Sequence, residues 1–398
     1  MSVNHPEGFV SGGVACGIKA GGGLDLALVA TADGLAVPAA GVFTSNRAAA
    51  APVQVSRRHL AMSGGRAAAV VLSSGNANAA TGAQGVADAE EMCQTVAGGV
   101  VGTGQPGGAV AVEHVLVCQT GLIGIPLSMA PVRAGLPALL ADRSGGRDAA
   151  ARAARAIMTT DTVAKETVVS GGGFSIGAMA KGAAMLAPNM ATMLAVLTTD
   201  AVVEPELLRT ALAEAVAGSF NRLTIDGCTS TNDTVLVLAN GRSGVRPEAA
   251  ALTAALADAC GQLARMMAED AEGATKVAVV RVAGAASDAE AERAARSVAE
   301  SQLVQCSLNG ADPYWGRVVS ELGSAGVDFD LDRVAVAYGG ITVCRGGVAA
   351  DHDSSAVAEH MAGRTVEIVC DLGLGSGSAA VLTTDLGYGY IDENRTTS

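Results

Sequence analysis

Strands mixed with helices, without strict alternation, predict an α+β protein with a layered α/β/β/α arrangement of mixed sheets. Three observations carry that expectation. Short continuous apolar runs recur along the chain. Alanine-rich stretches with helical spacing lie between them. Aromatic residues make up only 3% of the 398 residues, against 51 glycines, so layers pack through small side chains and turns are tight. With 49% apolar residues, the chain can bury a large core, divided into two or three lobes.

The elements follow in order. Leu26-Ala-Leu-Val-Ala30 and Ala68-Ala-Val-Val-Leu-Ser73 are apolar runs of strand length. Residues 84–96 have helical spacing, with Asp88, Glu90 and Glu91 toward the half that the helix dipole favours for acids. Residues 149–159 read as an amphipathic helix delivering Thr159 at its C-terminal end. Residues 168–185 read as strands around Gly171-Gly-Gly173, and 192–198 as a buried strand. Residues 205–220 and 247–271 are helices opening on Pro-Glu, the second delivering Glu272. Residues 277–282 read as a strand and 287–301 as a helix. From Arg333 strands return at 334–337, 341–343, 366–369 and 379–384. Residues 102–108 and 144–146 read as linkers, and no internal repeat is present.

Composition excludes several functions. A net charge of −13 repels phosphate backbones, and few aromatics leave little for base stacking, so no nucleic-acid partner is expected. The eight cysteines are scattered without a Cys-x-x-Cys pair, which predicts free buried thiols in a reducing compartment. The five histidines lack metal-ligand spacing, so no metal is expected, and His352 and His360 read as solvated. The first residues show no secretory pattern, and no uninterrupted apolar run is long enough to span a membrane. A cytoplasmic protein is expected. Gly373-Leu-Gly-Ser-Gly377 lacks the spacing and flanking elements of a dinucleotide fingerprint.

The most informative segment is Lys181-Gly-Ala-Ala-Met-Leu-Ala-Pro-Asn-Met-Ala-Thr192. It places a threonine between a Pro-Asn break and an apolar run. A threonine hydroxyl attacks poorly without a base beside it. Cutting the chain before the threonine frees an α-amine of pKa about 7.7–8.0, suited to that task. We read Ala191–Thr192 as a self-cleavage site and Thr192 as a nucleophile.

With that segment in place, the chain resembles the ornithine acetyltransferases, or glutamate N-acetyltransferases, of cyclic arginine biosynthesis. The blocks run in the family's order over nearly the whole chain: Gly41-Val-Phe-Thr-Ser-Asn46, Ser74-Gly-Asn-Ala-Asn-Ala-Ala-Thr-Gly82, Thr120-Gly-Leu-Ile-Gly124, Ala156-Ile-Met-Thr-Thr-Asp-Thr162, the Lys181–Thr192 segment, Asp226-Gly-Cys-Thr-Ser-Thr-Asn-Asp233, Asp270-Ala-Glu-Gly-Ala-Thr-Lys276 and Gly310-Ala-Asp-Pro-Tyr-Trp-Gly-Arg317. The resemblance implies an autoproteolytic enzyme with an α chain of residues 1–191 and a β chain of residues 192–398, the latter including a C-terminal α/β lobe, assembled as an α2β2 heterotetramer. It implies acetyl transfer from N2-acetyl-L-ornithine to L-glutamate through acetyl-Thr192. Thr120 and Gly121 inherit the oxyanion hole. Substrate contacts carry over to Thr159, Lys181, Thr192, Glu272, Asn394 and Ser398. No cofactor is implied, although some family members accept acetyl-CoA as an alternative donor.

Chemistry agrees with several of these assignments. Glycine lets a backbone N–H approach a developing oxyanion, with a threonine hydroxyl as a second donor. A lysine amid apolar residues is poorly placed for mere solvation and could hold a substrate carboxylate or carbonyl. A carboxylate at a helix end is unfavourable on dipole grounds, so Glu272 wants a cationic or amine partner. Thr160 and Asp161 compete with Thr159 as contacts. The 226–233 block reads as a hydrogen-bonded turn network and the 310–317 block as structural. The tail Asn394-Arg-Thr-Thr-Ser398 is one residue shorter than the family's and lacks its tyrosine, and Tyr314 stands where the family often has asparagine. Rival readings are a threonine amidohydrolase or aminopeptidase, a specialised paralogue, and a non-catalytic assembly protein.

Overall fold

The computed structural model describes residues 2–100, 110–185 and 193–395. It separates into two compact units, one of Met1–Asn221 with Cys228–Met267, the other of Arg222–Gly227 with Ala268–Thr397. The division does not follow the 191/192 boundary, because strands on both sides of it share a sheet in the first unit.

In the first unit the elements are β1 (Phe9–Val14), β2 (Leu26–Thr31), β3 (Val37–Phe43), α1 (Ala51–Met62), β4 (Arg66–Ala67), β5 (Ala69–Asn76), α2 (Gly82–Gly99), β6 (Val115–Leu122), α3 (Met129–Asp142), α4 (Arg147–Ala156), β7 (Lys165–Gly171), β8 (Phe174–Lys181), β9 (Leu194–Thr199), α5 (Pro205–Ala217), β10 (Thr234–Ala239) and most of α6 (Ala249–Glu269). Among the described residues one sheet has the order β1-β2-β5-β6 and a second β4-β3-β10-β9-β8-β7. Each is mixed. β5 and β6 run parallel, as do β9 and β10, and the other pairs are antiparallel.

Side-chain alternation explains the layering. Ala27, Val29, Val70, Leu72, Leu116 and Cys118 of the first sheet meet Met179, Leu194, Val196, Leu236 and Leu238 of the second in one buried cluster. Their neighbours Leu26, Leu28, Ala69, Val71, Val115 and Val117 face the opposite way, onto Met92, Cys93 and Val96 of α2 and Val132, Leu136 and Leu139 of α3. A strand buried on both faces reads as a continuous apolar run, which is why these segments were legible as strands. On the second sheet, α5 packs against β3 and β10, and Gln262 of α6 accepts the Thr167 hydroxyl of β7. Helices therefore cover both outer faces. α4 lies close on β1, where a Cβ added at Gly13 would come within 2.4 Å of the Arg152 carbonyl oxygen.

The second unit holds β11 (Val277–Ala285), α7 (Asp288–Glu300), α8 (Gln302–Asn309), α9 (Trp315–Ser324), β12 (Ala335–Tyr338), β13 (Ile341–Arg345), β14 (Val348–Ala349), α10 (Ser354–Ala362), β15 (Thr365–Asp371), β16 (Gly377–Thr384) and α11 (Tyr388–Glu393). Among the described residues its sheet has the order β14-β13-β12-β15-β11-β16. α7 starts where Ser287 caps the Glu290 N–H and buries Ala291, Ala294, Ala295, Val298 and Ala299, a stripe at helical spacing, in a cluster with Val280 and Val282.

Some expectations need correcting. α4 ends at Ala156, short of Thr159, whose N–H is taken by the Asp161 carboxylate at 3.0 Å; short polar side chains compete with the helix ladder in this way. α6 ends at Glu269, so Glu272 lies in the turn beyond it. Ser144 is no linker: it pairs with Ser11 beside β1, and Asn4 binds the Ser144 and Gly146 carbonyls. Residues 102–108 lie outside the described residues. Cys228 and Cys306 are exposed rather than buried. His360 is half-buried, its Nε2 accepting the Glu367 N–H at 2.9 Å. Gly373-Leu-Gly-Ser-Gly377 turns β15 into β16, with Gly373 at φ +64°.

Two glycine substitutions should separate in sign. Gly13→Ala forces α4 off β1 and is expected to lower stability by about 1–3 kcal/mol. Gly261→Ala, in α6 with nothing within 4 Å of the added carbon, is expected to raise it by up to about 1 kcal/mol. Urea denaturation midpoints of the two variants test both.

Candidate active site

The ends of β5 and β6 create a place that only glycine can fill. Ser74 pairs with Thr120 and Gly75 with Gly121. Gly75 has φ +104° and Gly121 φ +128°, a region that side-chain-bearing residues rarely adopt. A Cβ on Gly121 would lie 2.3 Å from the Gly75 carbonyl carbon and 2.5 Å from the Asn76 nitrogen. Thr120 is buried and still within β6, rather than in a turn after it.

Residues 230–233, just before β10, join this edge to the second sheet. The Asn232 amide donates to the Ala77 carbonyl at 2.6 Å and to the Gln119 carbonyl, next to Thr120, at 2.8 Å. Asp233 accepts the Met193 N–H at 2.9 Å, and the Thr234 N–H reaches the Met193 carbonyl at 3.1 Å. Thr44 and Asn46 donate to the Ser230 and Thr229 carbonyls. The turn network expected of 226–233 is thus present, and Asn232 and Asp233 within it touch the segments that flank the predicted site.

Lys181 ends β8 and pairs with Leu194, two residues beyond Thr192. It is buried, with 2% of its surface exposed, and its Nζ lies 3.9 Å from Asp161. Asp161 also accepts Lys165 Nζ and the Gly182 N–H, both at 2.7 Å. Burial works against its charge, but Lys181, Lys165 and these bonds outweigh it and bring the carboxyl down to about 2. Thr159 touches the same carboxylate through its backbone. The structure therefore gathers Thr159, Asp161 and Lys181, and of the competing contacts Asp161 is the ionic centre.

A second cation was not anticipated. Lys19 follows a loop whose backbone N–H groups, from Cys16 to Lys19, converge on the buried Asp25 carboxylate at 2.7–3.1 Å. Its stem would contact a Cβ at Gly75, at 3.1 Å. Burial lowers its pKa, opposed by Asp25 and Asp161. A lone lysine in a glycine-rich loop carries no sequence signal for this placement. The structure reveals it because Gly75 admits the loop.

In the second unit the resemblance-based pair Glu272 and Asn394 meets directly. Glu272 is 8% exposed, and its Oε2 accepts the Asn394 amide at 2.7 Å. Asn394 also donates to the Tyr390 carbonyl at 2.9 Å. Gly273 permits this, since a Cβ there would lie 2.1 Å from the Tyr390 nitrogen. Tyr314 is exposed and carries the Arg317 guanidinium over its ring, in keeping with a structural 310–317 block. Ala191, Thr192 and Ser398 lie outside the described residues. Among the described residues no cluster of three or more His, Cys, Asp or Glu could hold a metal, and no helix is long and apolar enough to cross a membrane.

Asp161→Asn removes the carboxylate charge 2.7 Å from the buried Lys165 ammonium and should destabilise the protein by about 3–5 kcal/mol. The depressed carboxyl also sets a pH window. Its contribution is complete above the unfolded value of about 3.9 and is lost as pH falls toward the folded one. Urea denaturation at pH 5 and pH 3 should show a steeper loss in the native protein than in Asp161→Asn.

The sequence matches the ArgJ family model over residues 10–396. It is 46% identical to the arginine biosynthesis bifunctional protein ArgJ of Thermobifida fusca over 394 residues, covering 99% of both chains. It is 46% identical to the protein of the same name from Mycolicibacterium paratuberculosis over 395 residues, covering 99% of this chain and 96% of that one. A crystal structure of ornithine acetyltransferase complexed with ornithine from Mycobacterium tuberculosis is 42% identical, with a TM-score of 0.44, covering 47% of this chain and 94% of that chain. The chain belongs to the ArgJ family.

Proposed function

We propose that this ArgJ-family acetyltransferase of arginine biosynthesis moves the acetyl group of N2-acetyl-L-ornithine to L-glutamate through an acetyl-Thr192 intermediate. The observation that carries the reading is the 46% identity, over 99% of both chains, to a protein named for bifunctional arginine biosynthesis. The local geometry supports it, with Gly121 held where no side chain fits and a buried lysine paired to the strand that follows Thr192.

In this reading the chain cuts itself between Ala191 and Thr192. The freed α-amine takes the hydroxyl proton as Thr192 Oγ attacks the acetyl carbonyl. Thr120 and Gly121 donate to the oxyanion. The amide bond breaks, ornithine leaves with the proton, and the glutamate amine then attacks the acetyl ester. Lys181, with Thr159 and Asp161 around it, holds substrate charge. Glu272, Asn394 and Ser398 are further substrate contacts in this reading. The covalent ester carries the acetyl group, so no metal or organic cofactor is invoked. The relatives are named bifunctional, and we extend that to acetyl-CoA as a second acetyl donor.

β8 and β9 flank the cut and pair from Ile176 with Thr199 to Lys181 with Leu194. An α chain of residues 1–191 and a β chain of 192–398 would stay joined by that ladder, and we propose that they assemble as α2β2 in the cytoplasm.

Thr192→Ala should remain one full-length band on a denaturing gel and transfer no acetyl group. Gly121→Ala should lower kcat by roughly a hundred- to a thousandfold. Mass spectrometry after incubation with acetylornithine should find the acetyl group on the fragment beginning at Thr192. Release of free acetate in place of acetylglutamate would identify a hydrolase instead.

A further inference from the structure

The donor and the acceptor of the proposed transfer have unlike side chains, one ending in an ammonium and the other in a carboxylate. What they share is the α-carboxylate. Lys181 is assigned to substrate charge, and Lys19 is a second cation in the same unit.

Lys19 is half-buried in the loop between β1 and β2. The loop is set without its side chain. Asp25 gathers the N–H groups of Cys16, Gly17, Ile18 and Lys19 at 2.7–3.1 Å, and the Asp25 carbonyl takes the Ser74 N–H at 2.9 Å. Among the described residues Lys19 Nζ donates one hydrogen bond, to the Leu24 carbonyl at 2.7 Å, and forms no ion pair. An ammonium carries three donors, so this one keeps donating capacity.

Its stem lies beside Gly75, where an added Cβ would stand 3.1 Å from Lys19 Cγ. Gly75 is the cross-strand partner of Gly121, and a Cβ on Gly121 would stand 2.3 Å from the Gly75 carbonyl carbon. Lys19 and Gly121 therefore have Gly75 as a common neighbour. Ser74, next to it, donates to the Ala156 carbonyl at 2.6 Å, which ties the same edge to the segment that runs on to Thr159 and Asp161. Burial works against the charge on Lys19, Asp25 and Asp161 support it, and Lys181 opposes it. Like charges held near one another in a half-buried setting are unfavourable. A bound carboxylate relieves them, because its two oxygens can accept from two ammonium groups at once.

We propose that Lys19 is a substrate-binding residue whose ammonium, together with Lys181, holds the α-carboxylate common to donor and acceptor. The α-carboxylate fits better than the side-chain carboxylate of glutamate. It is borne by the same carbon as the acetylated nitrogen, so it stays close to the acetyl carbonyl and to the Gly75–Gly121 edge. The proposal rests on the reading of acetyl transfer from acetylornithine to glutamate with Gly121 at the oxyanion.

The test compares kcat/KM for compounds that differ only in that group: N2-acetyl-L-ornithine against N-acetylputrescine as donors, and L-glutamate against γ-aminobutyrate as acceptors. The native enzyme should prefer the carboxylated member of each pair. Lys19→Met keeps the stem and removes the charge. It should shrink both preferences by roughly ten- to a hundredfold, through KM more than kcat, and Lys19→Arg should retain most of them. A compound turned over too slowly to measure is compared by its inhibition constant. A purely structural role would slow both members of a pair alike, and preferences left unchanged overturn the proposal. So does a collapse of the preference for glutamate over α-aminobutyrate, which lacks only the side-chain carboxylate. If Lys19→Met does not fold, the native enzyme decides. N-acetyl-L-glutamate should slow acylation of Lys19 by an amine-reactive ester, read by peptide mass spectrometry, and N-acetyl-γ-aminobutyrate at equal concentration should not. Equal protection by the two, or none, overturns the proposal. A native enzyme that moves no acetyl group from acetylornithine to glutamate brings down the functional reading itself; transfer with preferences unmoved in Lys19→Met brings down only the role of Lys19.

Discussion

Two hydrogen bonds from the Asn232 amide hold the edge on which the first unit's site is built. Strand ends leave backbone carbonyls without ladder partners, and buried carbonyls must find donors. Asn232 fills those of Ala77, just beyond β5, and Gln119, within the parallel strand β6, together. Because the same segment runs into β10 and binds Met193 through Asp233, the ends of β5 and β6 are tied to the start of β9. Thr120, Gly121 and Lys181 owe their common neighbourhood to this tie, and its buried setting makes it costly to break.

Charge is handled differently at the site than over the rest of the molecule. The chain is acidic overall, yet at this edge it gathers Lys19, Lys165 and Lys181. Asp161 makes that possible. One buried carboxylate serves Lys165 at close range and Lys181 at 3.9 Å. The fold tolerates three cations together because Asp25 and Asp161 lie among them.

Family membership fixes arginine biosynthesis as the setting, and the sheet explains how a chain could sever itself there without falling apart. β8 and β9 adjoin the proposed cut and form a continuous antiparallel ladder. The two compact units divide elsewhere, so cleavage would separate chains without separating bodies.

The sequence by itself determined the layered class, the strands and the candidate residues. Buried strands show as apolar runs, alanine stripes show as helices, and the motif blocks lie in the family's order. It also placed Glu272 and Asn394 in one role, and they meet. Only the tertiary structure decided where helices stop: α4 ends early because Asp161 captures the Thr159 N–H, a competition that local pattern does not resolve. Only it revealed Lys19, Asp25, Asn232 and Asp233 as neighbours of the segments that carry the candidate residues. Their importance lies in hydrogen bonds and burial between segments far apart in the chain, Asn232 with Ala77 being separated by 155 residues. Periodicity and spacing describe a residue's neighbours along the chain, whereas the electrostatics of a site come from neighbours in space.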